Sequence, residues 1–326
     1  MNSLLRLATA ALLLSAAACG DGDRTADGKT LLRVGHFPNV THAQGLVAHN
    51  LSRTGKGWFE ERLGPDVRIE WFTYNAGPSA MEALLARSLD LTYVGPSPAI
   101  NAHVKSRGSD IHVIAGAAKG GAALVVQGDG RIAKPADFLG RKVATPQLGN
   151  TQDVACRSWL KKNGFSVTQT GGDVTVLPTQ NPDQLALFRK GDLDAVWTVE
   201  PWVSRLEREA GGKAFLEESD AVTTVLVSSA HFLEGQPELA KRFAQAHAEL
   251  TQWIVAHADE AQRLLRAELL EETKKDMPAE LLAHCWPRLK FDASVDAGAF
   301  LSFVQAAQDA GFLRDAGDLS RLVRVP

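Results

Sequence analysis

The chain has 326 residues, 45% of them hydrophobic and 22% charged, which is enough apolar material for a folded body of two lobes and excludes a disordered chain. Its 35 Lys and Arg residues stand against 38 Asp and Glu residues, a formal charge of −3 at pH 7, so it lacks the dominant basic surface that nucleic-acid binding needs. Any anion that this slightly acidic chain binds must therefore be held by a local site.

The amino terminus has the pattern of an export signal over residues 1–18. Arg6 is the basic start, residues 7–14 form an apolar run too short to cross a membrane, and three alanines precede Cys19. A cysteine placed after small residues resembles a bacterial lipobox. We therefore predict that Cys19 is acylated, that residues 19–30 form a polar tether, and that the lipid is the only membrane attachment. The alternative is ordinary cleavage with Cys19 incidental.

The body that follows the tether keeps two cysteines, Cys156 and Cys285. A single pair so far apart in sequence does not make a disulfide framework. We predict that both behave as small buried hydrophobic side chains without a disulfide between them.

From residue 31 onward, short apolar runs bounded by Gly, Pro and Asn alternate with longer amphipathic stretches. This alternation predicts an α/β fold with mostly parallel strands. The predicted strands lie at residues 31–37, 67–74, 89–95, 112–118, 122–127, 142–146, 174–179, 193–199 and 221–229. The last third changes to apolar residues at three-and-four spacing, which predicts helices outside a sheet with Pro237, Pro278 and Pro287 at their boundaries.

Two of these strands, AALVVQ and AVTTVLVSS, are the expected places for the chain to leave one lobe and return. We predict that lobe I comprises residues 31–122 and 222–326 and that lobe II comprises residues 123–221. The cleft between them would be lined by helix starts at the carboxyl ends of strands, where open α/β sheets bind ligands. Such a body is expected to close on its ligand.

Two segments place small polar residues at predicted helix starts. In GPSPAINAHV, Ser97 follows a strand and Pro98 suits the first turn of a helix. In PQLGNTQDVAC, Asn150 or Thr151 caps a helix and Gln147 adds a side-chain donor. Free N–H groups and the positive dipole end at a helix start attract anions. Either segment alone is equally consistent with a capped turn, but two such starts on opposite lobes favour an anion site.

The loop HFPNVTHAQ follows the first strand and contributes Pro38, Asn39 and His42 to the predicted cleft mouth. His36 and His42 have no carboxylate or cysteine cluster beside them in sequence, so we predict a hydrogen-bonding loop without a metal or cofactor. Lys119 precedes the first crossing strand. We expect it either to neutralise the anion or to lie in solvent.

Five segments together resemble one family. They are FPNVTHA, YVGPSPAINA, IAGAAKGGAALVV, VATPQLGNTQDVACRSWL and LALFRKGDLDAVWTVEPWVSRL. In order and spacing, over residues 34–323, they resemble the periplasmic solute-binding proteins for aliphatic sulfonates, taurine and nitrate. The resemblance implies the type II periplasmic-binding fold, in which two crossover strands join two lobes. It also implies a monomer in the periplasm, or on the outer face of a single membrane, that delivers a small anion to an ABC permease and its ATPase.

The resemblance further implies that the segment WTVEPW lies at the cleft. Thr198 is then expected to donate to a head group, and Trp202 to pack on an organic tail beside Glu200. These aromatic residues make an aliphatic sulfonate or a related organosulfur compound the expected ligand. The alternative places Trp202 in the lobe core and Glu200 in solvent.

Other functions stay open from the sequence. The ligand could instead be nitrate, a sulfate ester or a phosphonate, and the partner could be a sensor rather than a permease. An enzyme or binding protein of the same fold acting on a pyrimidine is a further alternative, with Cys156, His36 and Glu200 as the candidate catalytic groups. Because an export signal argues against a cytosolic biosynthetic step, we predict no enzymatic activity.

Overall fold

The computed structural model describes residues 24–326, so the predicted export signal and Cys19 lie outside the described residues. The strands, β1 to β11 in chain order, are Thr30–His36, Val67–Thr73, Leu91–Val94, Ile111–Gly120, Ala122–Val126, Lys142–Thr145, Thr175–Pro178, Ala195–Val199, Lys213–Glu218, Val222–Ser229 and Leu289–Phe291. The α-helices, α1 to α12, are Ala43–Arg53, Trp58–Leu63, Gly77–Leu85, Pro96–Lys105, Thr151–Lys162, Asn181–Lys190, Trp202–Ala210, Ala230–Gly235, Pro237–Ala256, Ala258–Thr273, Ala279–Cys285 and Leu301–Ala310. Short 3-10 helices cover Val40–His42, Pro135–Phe138, Trp286–Arg288 and Ala297–Phe300.

The strands form two mixed sheets. The first has the order β11-β4-β10-β3-β1-β2, and the second has the order β7-β6-β8-β5-β9. β1 is parallel to β2 and β3, and β6 is parallel to β7 and β8, whereas β10 and β5 are antiparallel to both of their neighbours. The α/β prediction is confirmed, but the expectation of mostly parallel strands is wrong. The strands by which the chain enters each sheet from the other, β5 in the second sheet and β10 in the first, run against their neighbours.

The chain passes between the two sheets at two adjacent places. β4 ends at Gly120 and β5 begins at Ala122, while β9 ends at Glu218 and β10 begins at Val222. The backbone N–H of Gly120 donates to the carbonyl of Ala221 at 2.9 Å, which holds the passages side by side. Gly120 and its neighbour Gly121 have φ angles of 76° and 70°, a left-handed conformation that glycine adopts without strain. These passages support the two-lobe division, which we retain as a proposal.

Each sheet buries both of its faces, which explains the nearly continuous apolar character of its central strands. Helices α1, α2, α9 and α10 cover one face of the first sheet, and α3, α4 and α12 cover the other. In the second sheet, α5 covers one face and α6 and α7 cover the other. Cys156 and Cys285 are buried and free, as predicted. Pro237 begins α9 and Pro278 precedes α11, which confirms two of the predicted helix boundaries.

The carboxy-terminal helix α12 links the two sheets. Val304 of α12 and Val154 of α5 belong to the same apolar cluster on the first sheet. The hydroxyl of Ser158 on α5 donates to Asp309 at 3.1 Å, and Lys162 pairs with the same carboxylate at 3.2 Å. The predicted assignment of the whole chain end to lobe I therefore omits its contact with a helix of the second sheet.

Candidate ligand-binding cleft

Two adjoining cavities lie between the sheets. The large cavity has a volume of about 360 Å³ and the small cavity has a volume of about 30 Å³. Four residues line both: Asn39, Asn75, Pro146 and Asn181. Asn39 and Asn75 follow strands of the first sheet, whereas Pro146 and Asn181 belong to the side of the second sheet. The two spaces therefore form one continuous cleft with walls from both sheets.

The small cavity is surrounded by four helix starts. Gly77 begins α3, Thr151 begins α5 and Asn181 begins α6. Pro98, in the first turn of α4, completes the wall. The first N–H groups of each helix have no partner within that helix, and the helix dipole adds partial positive charge at the same end. The dipoles of all four helices thus direct positive potential at one small space, and the starts of α3, α5 and α6 add N–H donors, which suits an anionic head group.

The starts of α4 and α5 contact each other across the cleft. The backbone N–H of Ser97 donates to the hydroxyl oxygen of Thr151 at 3.3 Å. The Ser97 hydroxyl is buried and has no hydrogen-bond partner among residues 24–326. Gly95 permits the approach, because a Cβ at this position would lie 2.3 Å from the Thr151 hydroxyl oxygen. Ser97 and Thr151, predicted as site residues on opposite lobes, are therefore brought together.

Asn150 caps α5 and lines the small cavity. Its side-chain oxygen accepts from the backbone N–H of Asp153 at 2.8 Å, and its amide nitrogen donates to Gln152 at 3.2 Å. The Asp153 carboxylate is in turn held by Arg157 at 3.1 Å and by Thr145 at 2.8 Å, so the first turn of α5 is fixed from several sides. Gln147 lines neither cavity. Its backbone carbonyl instead accepts from Asn150 within the turn before α5.

His42 contributes a neutral imidazole to the small cavity. Its ring stacks on Phe37 with centroids 4.3 Å apart, and its Nδ1 accepts from the backbone N–H of Phe37 at 3.3 Å. Burial lowers the pKa of His42 well below its usual value, and the nearby His36 adds to this effect. With Nδ1 as an acceptor, the proton of the neutral ring is on Nε2. His42 is therefore a potential hydrogen-bond donor at neutral pH rather than a cation.

Asn39 and Trp202 join the cleft mouth from opposite sides. The indole N–H of Trp202 donates to the side-chain oxygen of Asn39 at 3.2 Å, and both residues line the large cavity beside Pro38. The backbone N–H of Val40 also donates to the carbonyl of Glu200 at 3.2 Å. With the contact between Ser97 and Thr151, these bonds keep the two walls together.

Five predicted site residues lie outside both cavities: Ser97 and Gln147, described above, and Thr198, Glu200 and Lys119. Thr198 donates to the side-chain oxygen of Asn181 at 3.0 Å, so it orients a lining residue instead of facing the cleft. Glu200 is fully buried and pairs with Arg288 at 3.0 Å, because a buried carboxylate needs a charged partner. Lys119 pairs with Asp292 at 3.0 Å, and both line a different pocket.

The large cavity combines apolar walls with charged groups that the sequence analysis did not identify. Its apolar wall includes Leu185, Leu269 and Met277. Arg205 also lines it, and the Nε atom of this residue is buried without a hydrogen-bond partner among the described residues. Glu272 lies on the same wall and carries the opposite charge to Arg205. Burial opposes the ionisation of its carboxyl group, but hydrogen bonds from His36 and His49 outweigh this effect and hold its pKa at about 2. The cavity thus suits an organic group rather than water alone.

Two cavity-lining residues that were not predicted, Asn181 and Arg205, could have been recognised from patterns in the sequence. Asn181 follows a strand and precedes Pro182, the same pattern of strand, polar residue and proline that marks Ser97. Arg205 comes three residues after Trp202, a spacing that puts both on one face of α7. Leu269 and Glu272 had no such signal, because α10 contributes its last turn to the cavity only through packing of the whole chain.

The three candidate catalytic residues do not meet in the cleft. Cys156 is buried in the core of the second sheet, and burial raises the pKa of its thiol. His36 is buried behind the wall, and Glu200 is occupied by Arg288. None of the three lines either cavity.

The fold and cleft define a class of protein, the two-lobed periplasmic-binding fold. The alkanesulfonate-binding protein SsuA from Xanthomonas axonopodis pv. citri bound to MOPS superposes with a TM-score of 0.74 at 17% identity, covering 91% of this chain and 98% of that chain. The chain belongs to the NMT1-like family, whose model matches residues 25–270. Among residues 24–326, no helix combines the length and apolar character needed to cross a membrane.

Named relatives agree with the resemblance seen in the sequence, which is thereby confirmed. The taurine-binding periplasmic protein of Escherichia coli K12 is 27% identical over 198 residues, or 59% of this chain. The match also spans 59% of that relative's length. A putative aliphatic sulfonates-binding protein of Bacillus subtilis 168 is 27% identical over 262 residues, covering 77% of this chain and 74% of the relative.

Proposed function

We propose that this protein is an extracytoplasmic solute-binding protein that captures an organic anion, an aliphatic sulfonate, for an ABC importer. The observation that carries the proposal is the convergence of four helix starts on the small cavity. Such starts stabilise an anion without a dedicated cation, which agrees with the nearly balanced charge of the chain. The names of its relatives, which bind taurine or aliphatic sulfonates, support the same ligand class.

The large cavity supports an organic anion in preference to nitrate. Leu185, Leu269 and Met277 offer apolar surface next to the small cavity, and Trp202 adds an aromatic wall. An alkyl tail in this space gains about 0.8 kcal/mol for each buried methylene, whereas nitrate has no tail to bury. The head group would then take donors from Asn150, Thr151 and His42, with Asn39 and Asn181 at the junction of the two cavities.

The rest of the proposal follows from the family. The permease and ATPase of an importer are the proposed partners, and the protein is a monomer that acts outside the cytoplasmic membrane. Acylation of Cys19 is the proposed anchor. We propose binding without catalysis, because the cleft residues offer hydrogen-bond donors and apolar surface, and the candidate nucleophile Cys156 lies elsewhere.

A ligand series tests this function. The full chain, purified in detergent, is titrated with taurine, alkanesulfonates of increasing length and nitrate while its melting temperature is recorded. A ligand at 100 times its Kd stabilises the folded state by about 2.7 kcal/mol. We expect alkanesulfonates to raise the melting temperature, longer chains to bind more tightly until the large cavity is filled, and nitrate to have the smallest effect.

Two results of this series would contradict the proposal. Equal stabilisation by nitrate and by hexanesulfonate would show that the large cavity does not bind the tail. No stabilisation by any sulfonate would show that the protein is not a sulfonate receptor.

A further inference from the structure

Two histidines and a glutamate converge behind the wall of the large cavity. His36 ends β1, His49 lies in α1 and Glu272 lies in the last turn of α10. The Nε2 atom of His36 lies 3.0 Å from Nδ1 of His49 and 3.1 Å from Oε1 of Glu272. His49 Nδ1 is itself 3.1 Å from the same carboxylate oxygen. The three atoms therefore form a nearly equilateral triangle.

Hydrogen bonds alone cannot satisfy all three sides of this triangle. Each ring nitrogen presents either one proton or one lone pair in this direction, and an ionised carboxylate only accepts. If both nitrogens are protonated, the two N–H groups oppose each other. If one is unprotonated, its lone pair faces the carboxylate oxygen. A cation at the centre makes all three contacts favourable at once.

The Glu272 carboxylate supplies a second, independent sign of a missing partner. Its side chain is only 4% exposed, and its Oε2 atom is buried without a hydrogen-bond partner among the described residues. An unpaired buried carboxylate oxygen is costly, so a ligand near this atom is expected. Trp71 packs against both imidazole rings, with centroids 5.7 Å from His36 and 5.3 Å from His49, which limits the movement of the rings.

We propose that His36, His49 and Glu272 bind one divalent transition-metal ion of the zinc type. Two imidazoles and a carboxylate form a donor set that suits zinc, whereas calcium and magnesium prefer oxygen ligands. Zinc bonds of about 2.0 to 2.1 Å in a tetrahedron put neighbouring ligand atoms about 3.3 Å apart. The observed separations of 3.0 and 3.1 Å require only a small expansion.

The surrounding charges fit this proposal after one local adjustment. Oε1 of Glu268 lies 2.9 Å from His49 Nδ1, where it offers a further oxygen to the ion. Arg53 lies 2.7 Å from Glu268 and 3.1 Å from Nε2 of His49. A metal on Nδ1 places a proton on Nε2, so Arg53 has to turn away from the ring. Its side chain is 43% exposed, which leaves room for that movement.

The site would lie next to the proposed ligand but would not depend on it. Glu272 is shared between the histidine pair and the wall of the large cavity. A bound ion would therefore neutralise the negative charge on that wall. The sequence pairs His36 only with His42 and predicts no metal, because His49, 13 positions from His36, reaches the site only through the fold of α1 onto β1.

Zinc binding is measured on the full chain without sulfonate, so its outcome is independent of the proposed transport function. The protein is stripped with a chelator, dialysed against a low fixed concentration of free Zn²⁺, and its zinc content determined by mass spectrometry. The variants are His49→Gln and the nearly isosteric Glu272→Gln, with His257→Gln at an exposed histidine as the matched control. Cobalt substitution adds visible absorption bands as a second readout.

We expect one zinc per chain in the parent and in the His257→Gln control, and at least a tenfold weaker affinity in both site variants. Folding of each variant is checked by circular dichroism, and Glu272→Gln decides the result if His49→Gln does not fold. Absence of stoichiometric zinc in the parent, or unchanged zinc affinity in Glu272→Gln, would overturn the proposal. The three side chains would then share protons instead of a metal.

Discussion

His247 is a fully buried imidazole whose protonation state affects folding. Its Nε2 contacts the carbonyl of Gly116 at 2.7 Å and its Nδ1 contacts the hydroxyl of Tyr93 at 3.0 Å. A neutral ring satisfies both contacts when Nε2 donates to the carbonyl and Nδ1 accepts from the hydroxyl. Burial lowers the pKa of His247 from 6.5 to about 4, although the hydrogen bond to Gly116 opposes this shift. The folded protein therefore excludes a proton that the unfolded chain binds.

This exclusion predicts a loss of stability in acid. Well above pH 6.5 the ring is neutral in both states, and as the pH falls through 6.5 toward about 4 the unfolded state gains a proton that the folded state does not. For this one group, the free energy of unfolding should fall by about 2 kcal/mol between pH 7 and pH 5. Urea unfolding of the parent and of His247→Gln at the two pH values measures the difference.

The variant should lose less stability on acidification than the parent, whereas His257→Gln, at an exposed site, should behave as the parent does. An equal loss in His247→Gln and in the parent would show that His247 does not cause the acid sensitivity. His42 is expected to add to the effect in both proteins, because burial lowers its pKa as well.

At the scale of single residues, the sequence predicted positions near the cleft better than their roles. Asn39, His42, Asn150 and Thr151 line the small cavity, since local patterns of strand end and helix cap determine where such residues lie. The role of Thr198 depends on Asn181, whose distance from it in space cannot be obtained from sequence spacing. Likewise, Asp292, which forms the ion pair with Lys119, belongs to a segment far from it in the chain.

The starts of α4 and α5 are the two elements whose approach closes the small cavity. Gly95 precedes α4 with φ −69°, so alanine fits its backbone conformation. An added Cβ would nevertheless lie 2.3 Å from the hydroxyl oxygen and 3.3 Å from the Cβ of Thr151 on α5. Gly95→Ala should force the two helix starts apart and lower the affinity for sulfonate by about tenfold or more, since overpacking costs about 1 to 3 kcal/mol.

Titration calorimetry checks this expectation against a matched control. Gly235→Ala makes the same substitution at the end of α8, where an added Cβ meets no atom within 4 Å. We expect the control to bind sulfonate as the parent does. Parental affinity in Gly95→Ala would show that close contact between α4 and α5 is not needed for binding.

At the scale of elements, all nine strands expected from apolar runs are present, with boundaries shifted by a few residues. The two strands that the sequence did not reveal are β9 and β11, at edges of the two sheets. β9 has three apolar residues flanked by charged ones and is largely half-exposed, and β11 has only three residues. Edge strands need no continuous apolar run, so this signal is weak for them.

The whole molecule holds its cleft between two sheets joined by adjacent backbone passages. Three hydrogen bonds across the cleft join Ser97 to Thr151, Val40 to Glu200 and Trp202 to Asn39. Such bonds form only when the two walls of the cleft approach each other. The exclusion of water from the closed cleft then strengthens each interaction with a bound charge. Periodicity predicted the fold class, but the order of strands in each sheet depends on long-range pairing that no local pattern encodes.

The central claim is that an anionic head group binds among the helix starts. Asn150→Asp tests it, because aspartate keeps the cap on α5 but adds a negative charge to the small cavity. Like charges about 4 Å apart repel by about 4 kcal/mol at an effective dielectric constant of 20. Asn163→Asp is the control, since it adds the same charge at the far end of α5, about 20 Å away.

Calorimetric titration of the parent and both variants with hexanesulfonate is therefore the decisive measurement. We expect the affinity of Asn150→Asp to fall by about a hundredfold or more, and that of Asn163→Asp to stay close to the parental value. If Asn150→Asp binds hexanesulfonate as tightly as the parent does, the anion does not lie in the small cavity.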